Sequence, residues 1–135
     1  MTRIAEQGLD AWHAVVRAPS SSALDALLAD DVVFHSPIVH TPQHGRALAK
    51  LYLMGAFQVL AAERAFRYVR EIVGERDAVL EFVTEIDGIA VNGVDMIRWN
   101  DEGKIVDFKV MLRPLKAIQT VHAQMARMLE AMKLA

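Results

Sequence analysis

The sequence predicts an α+β domain in which a curved, mainly antiparallel sheet is covered on one side by helices. Two observations carry this. Apolar residues recur at helical spacing through roughly the first sixty positions and again through the last twenty. Between them the period drops to two, and the strand-like runs are separated by the turn signals Gly74-Glu75-Arg76-Asp77, Asp87-Gly88 and Asn100 to Gly103.

The elements follow in order. Ile4, Ala5, Leu9, Trp12, Val15 and Val16 mark one face of a first helix, which stops at Pro19 in "APSSS". Ser22 and Asp25 give an S-x-x-D capping signature for a short second helix, "ALDALLA". "DVVFHSP" is a short strand ended by Pro37. After Gly45, "RALAKLYLMGAFQVLAA" is helical, with Leu48, Leu51, Tyr52, Phe57 and Leu60 or their immediate neighbours on its apolar face. "FRYVREIV", "AVLEFVTEI", "GVDMIRW" and "IVDFKVMLR" are strands, and Asn92-Gly93 is either a turn or a bulge in the third of them. After Pro114, a last amphipathic helix presents Leu115, Ile118, Val121, Met125, Met128 or Leu129, and Met132.

Composition limits the function classes. At 135 residues the chain is one domain, 1–135, long enough to hold a real core. Hydrophobic residues make up 53% and charged residues 24%, and no apolar run is long enough for a membrane helix, so a soluble globular protein is expected and no membrane partner. A net charge of -2, with Arg64, Arg67 and Arg70 as the one basic cluster, argues against nucleic acid. Zero cysteines remove thiol chemistry, thiolate ligands and disulfides. The charged start "MTRIAEQGLD" lacks the apolar stretch of a signal peptide, so the expected location is cytoplasmic.

Strand alternation sorts the sheet faces. Leu80, Phe82 and Ile86 should point inward, as should Phe108, Val110 and Leu112. On the strand between them Gly93, Asp95, Ile97 and Trp99 share a face, which places Asp95 among apolar neighbours. A carboxyl there has a raised pKa and is a candidate acid, base or hydrogen-bond donor; the alternative is a structural aspartate paired with Trp12, Tyr52 or a histidine.

"LLADDVVFHSPIV", "HGRALAKLY" and "VNGVDMIRWNDEGKIVDFKVMLRPLKAI" resemble the nuclear transport factor 2-like superfamily and, within it, the SnoaL-like proteins. The resemblance runs from the first helix to about Ile118. It rests on A-D-D before the first strand, H-G-R opening the long helix, G-V-D, and D-E-G-K-I with R-P around the last strand. It implies a cone-shaped α+β barrel, an apolar cavity for a small hydrophobic molecule, and dimerisation through the outer sheet face, so a homodimer is expected. Members include ketosteroid isomerase, polyketide cyclases, epoxide hydrolases and non-enzymes.

Compared with ketosteroid isomerase, "SPIVHTPQHGR" matches without gaps and puts Ser36 where the catalytic aspartate base belongs. The second carboxyl falls on Asp95, and the oxyanion-hole tyrosine falls on Trp12. A serine without a neighbouring base cannot abstract a carbon-bound proton at neutral pH. SnoaL-like cyclases use an aspartate with histidines, which implies Asp95 with His35 or His40 as catalytic residues and leaves His44 as a further imidazole. His35 and Ser36 point to opposite faces of a regular strand, so one of them faces the cavity. Epoxide hydrolysis needs an Asp-Arg-Asp set, and Arg98 lies on the face opposite Asp95.

The ligand-binding candidates are Trp12, Ser36, Tyr52, Leu80, Phe82, Ile97, Phe108, Val110 and Leu112. No metal is expected, because Pro42 interrupts the spacing that would align His40 with His44, and no cofactor is implied. The Met125, Met128 and Met132 stripe is core, dimer packing or a flexible lid. Three readings stay open: an enzyme of cyclase, isomerase or hydrolase type, a non-catalytic binding protein, and an interaction module using Tyr68, Val83, Met96 and Met111 on the outer sheet face.

Overall fold

Leu9, Trp12 and Val15 stack along one side of helix α1, Ile4–Arg17, and that side is buried. The structure, a computed structural model, describes residues 3–61 and 64–134, without the side chains of 132–134. After α1 come α2, Ser21–Leu27; β1, Leu28–His35; the two-residue β2, Gln43–His44; and α3, Arg46–Ala56, which runs on as a π-helical segment, Phe57–Ala61. Four long elements follow: β3, Arg67–Val73; β4, Asp77–Ile86; β5, Ile89–Trp99; and β6, Ile105–Arg113. Helix α4, Leu115–Leu134, ends the chain's described part.

The strands form one sheet in the order β2-β1-β6-β5-β4-β3. The expected α+β architecture is the one observed, with one refinement: β1 runs parallel to β6, so the sheet is mixed, and β2 and β3 lie at opposite edges, so it curves without closing. The β4–β5 hairpin turns on Asp87 and Gly88, both at positive φ (51° and 78°), the geometry a two-residue Asp-Gly loop provides. From there β4 and β5 pair without interruption from Ile86↔Ile89 to Asp77↔Arg98. Asn92-Gly93 therefore lies within a regular strand.

Local chemistry corrects three details. The cap of α2 is Ser20, whose extended backbone lets its Oγ accept from Ala23 N at 3.1 Å; Ser22, the expected cap, sits inside the helix. On α3 it is Ala49 and Leu53 that are buried, while Leu48 faces solvent. On α4 Ala117 and Val121 are buried and Leu115 is 68% exposed; the Met132 side chain is outside the described residues. The A-D-D and H-G-R motifs meet: Arg46 pairs with Asp30 at 2.8 Å, and Gly45 N donates to Val32 O at 2.8 Å.

The core lies between the concave face of the sheet and α1, α3 and α4. Its largest fully buried side chains are Trp12, Trp99, Phe82 and Phe108. Two glycines set how closely these rings approach the backbone. A Cβ on Gly93 would enter the space of Phe82 and Leu112, and one on Gly8 would overlap the indole of Trp99.

Gly8 lies inside α1, where alanine is favoured over glycine by about 1 kcal/mol on propensity alone. Overpacking against Trp99 costs about 1–3 kcal/mol and should win. Gly8→Ala is expected to lower the thermal midpoint by several degrees in calorimetry, and a raised midpoint would show that α1 can lift off the sheet at no cost.

Candidate functional site

Asp95 is on β5, where every second residue from Val91 to Trp99 is buried. Its cross-strand partners are Leu80 on β4 and Val110 on β6, so the carboxyl emerges between apolar side chains on the concave face. It is 7% exposed. Its hydrogen-bond partner is Tyr68 of β3, whose hydroxyl donates to Oδ2 at 2.7 Å. Trp12 Nε1 of α1 in turn donates to the Tyr68 oxygen at 3.1 Å. Among the described residues the bond from Tyr68 is the one hydrogen bond to the carboxyl, and it falls on Oδ2.

The Tyr68 ring is held edge-on by Phe66, Phe82 and His13. Trp12 packs against Phe57 and Phe108. Desolvation dominates the electrostatics: burial pushes the Asp95 carboxyl up to about 7, and the hydrogen bond from Tyr68 opposes this only in part. The Tyr68 phenol is raised well above its ordinary value, first by burial and then by the charge and hydrogen bond of Asp95, while donation from Trp12 pulls the other way. Near neutral pH the pair is therefore a neutral phenol donating to a carboxyl that is about half protonated, able to give up or take one proton.

Two chambers adjoin on this side of the sheet, and the inner one reaches this group. The inner one, about 30 Å³, is walled by Trp12, Phe66, Tyr68, Phe82, Asp95 and Phe108. The outer one, about 160 Å³, lies between Phe34, the Ser36–Val39 loop, Tyr52 and α4. Ala56, Leu60 and Val110 line both, so these three side chains form the partition between them.

The sequence-derived candidates distribute as follows. Trp12, Phe82, Phe108 and Val110 surround the inner chamber with Asp95, and Ser36, Tyr52 and Val110 line the outer one. Leu80 and Ile97 are fully buried core. Leu112 packs against the core and faces the groove beside His35. The structure does not bring His35 or His40 to Asp95. Phe34 takes the inward position on β1, so His35 points to the other face, where Nε2 lies 3.0 Å from Asp107 Oδ2. His40 is exposed in the loop after β1, beside the same outer groove. His44 is exposed on β2. Ser36 Oγ accepts from Ile38 N at 3.0 Å and Val39 N at 3.4 Å, a local turn that occupies its acceptor side. Among the described residues no group of three or more possible ligands is placed to hold a metal ion.

Tyr68 was expected on the outer sheet face and is instead the partner of Asp95. A bulge between Tyr68 and Arg70 shifts the register, so the residues after it do not report which way Tyr68 points. The usable signal was upstream: Phe66 and Tyr68 flank the polar Arg67 at a spacing of two. His122 of α4 is the second residue not anticipated, and it lines the outer chamber.

A model of the SnoaL-like domain matches residues 9–108. The chain belongs to the SnoaL-like family. A steroid delta-isomerase of known structure, from Pseudomonas aeruginosa, is 34% identical with a TM-score of 0.91, covering 100% of this chain and 98% of its own. A protein conserved in bacteria with a cystatin-like fold, from Silicibacter pomeroyi DSS-3, is 32% identical with a TM-score of 0.81, over 89% and 83% of the two chains. A nuclear transport factor 2-like protein from Mesorhizobium loti, 21% identical with a TM-score of 0.67 over 84% and 97%, shares the fold. A search of curated proteins returned no match. No helix of the SnoaL-like domain, among the described residues, is long and apolar enough to cross a membrane.

Burial of Asp95 has a consequence for stability. Its folded-state pKa lies above the unfolded value, so its contribution is fully present below about pH 4 and is lost as pH rises through 7. The stability of the wild type relative to Asp95→Asn should fall by about 2–3 kcal/mol between pH 5 and pH 8 in urea titrations. Parallel curves for the two proteins would mean that Asp95 stays ionised throughout.

Proposed function

We propose that the chain binds a compact hydrophobic molecule carrying a carbonyl or hydroxyl oxygen, and that Asp95 hydrogen-bonds this oxygen and exchanges a proton with it near neutral pH. The observation that carries the reading is the buried Asp95 carboxyl, poised near 7 and held by the Trp12–Tyr68 chain at the end of an apolar cavity. With Asp95 protonated, the donors run in one direction, from the indole N–H to the phenol, from the phenol to the carboxyl and from the carboxyl to the ligand. Hydrogen bonds so aligned polarise one another in a low-dielectric site. Such an end stabilises negative charge developing on a carbonyl oxygen.

The 34% identical relative is named a steroid delta-isomerase, and two observations weigh against that reaction here. Moving a carbon-bound proton needs a base at the position the resemblance gives to Ser36, and a hydroxyl whose oxygen is engaged by two backbone N–H groups does not supply one. The outer chamber of about 160 Å³ also matches a single six-membered ring, since about 150 Å³ holds benzene. Ser36 favours a second reading, a binding protein that retains the hydrogen-bonding end without turnover.

Acetophenone tests the binding step. Its one ring matches the volume of the outer chamber, its carbonyl is an acceptor for protonated Asp95, and Trp12, which lines the inner chamber, reports occupancy by fluorescence. Affinity should be constant below pH 6 and fall towards tenfold per unit above pH 7 as Asp95 ionises, while Asp95→Asn removes the pH dependence. Absence of binding, or the same pH profile in both proteins, overturns the assignment. Turnover of an identified substrate that Asp95→Asn abolishes selects the enzyme over the binding protein.

A further inference from the structure

The outer chamber has a polar feature of its own that the Asp95 chemistry does not use. Of the side chains lining it, His122 is the one that can carry positive charge, and none is acidic. His122 sits one residue after the fully packed Val121 on α4, so its Cα is fixed by the core while its ring stays exposed. The loop from Ser36 to Val39 lines the same chamber, and its Val39 is 44% exposed. The chamber thus opens to solvent between this loop and α4. Ser36 contributes a second donor, because a hydroxyl whose oxygen accepts from Ile38 N and Val39 N still has its own proton to give.

The two ends of the cavity are therefore opposite in character. Asp95 and a neutral phenol at the inner end accept a weakly polar oxygen and reject an anion, which would meet a carboxylate in a desolvated space. An imidazole and a hydroxyl donor at the outer end accept an anion, which stays partly hydrated there. We infer that His122, with Ser36, is an outer anchor that selects one-ring ligands bearing a carboxylate at the end opposite their carbonyl or hydroxyl group. The inference rests on the proposed binding of the neutral end at Asp95, and it adds the charge and length of the ligand. One ring in the outer chamber separates the two substituents, and para geometry directs one through the Ala56, Leu60 and Val110 partition and the other to the mouth.

The test compares acetophenone with 4-acetylbenzoate, which differs by a para carboxylate, in titrations of the wild type, His122→Leu and His122→Gln. His122 is exposed, so neither variant threatens the fold, and thermal midpoints check this. The wild type should bind 4-acetylbenzoate at least about tenfold more tightly than acetophenone, the scale of one charge-assisted hydrogen bond. The ratio should fall to about one in His122→Leu and lie between in His122→Gln, which keeps a donor without the charge. If acetophenone binds in an Asp95-dependent way and the ratio is the same in wild type and His122→Leu, the outer anchor is overturned while the inner site stands. If neither probe binds the wild type, both fall together.

Discussion

A carboxyl group taken out of water and given one hydrogen-bond donor is unstable as an anion, and much of the domain is arranged around that fact at Asp95. The desolvation penalty amounts to several kcal/mol, whereas a hydrogen bond to a charged group returns about 1.5–3 kcal/mol. The remainder appears as a carboxyl that holds its proton to about pH 7. The hydrogen bonds joining Trp12, Tyr68 and Asp95 also tie together α1, the edge strand β3 and the central strand β5. Small displacements of α1 would break the chain, since 3.1 Å is already near the long end of the hydrogen-bond range. The height of α1 above the sheet is set by Gly8 lying against Trp99, so a residue with no side chain supports the geometry of a site it does not touch.

The reach of sequence reasoning follows from where the backbone is regular. The inward direction of Asp95 was legible because β5 pairs with β4 over ten consecutive positions without a bulge, so alternation is preserved from the Asp-Gly turn to Trp99. The outward direction of His35, next to the inward Phe34, follows from the same period. Tyr68 was misplaced because alternation breaks at the bulge that directly follows it, between Tyr68 and Arg70. The cap of α2 was misplaced because three serines in a row offer the same chemistry and only backbone geometry selects Ser20. His122 was not legible at all. Its place at the cavity mouth depends on how α4 crosses the sheet, which no local pattern on α4 encodes.

The loop that carries Ser36 is structurally independent of the group around Asp95. Asp95 and Tyr68 depend on β3, β5 and α1, and none of them contacts the Ser36–Val39 loop through a hydrogen bond among the described residues. A change in the loop therefore leaves the inner chamber intact. The serine hydroxyl turns inward to cap its own loop, which rigidifies the rim at the expense of the acceptor a base would need.

Size is the stronger constraint on chemistry than residue type. Ala56, Leu60 and Val110 separate a space of about 30 Å³ at Asp95 from one of about 160 Å³ outside, the size that holds a ring. A ligand can thus present a single oxygen to the carboxyl with its ring still on the far side of the partition. Under the function proposed above, that arrangement favours proton exchange at a heteroatom over chemistry at ring carbons. Reaction at carbon would require Leu60 to swing aside. Leu60 sits in the π-helical segment after α3 and is buried in a core cluster with Phe82 and Val121, so the partition is held in place by core packing.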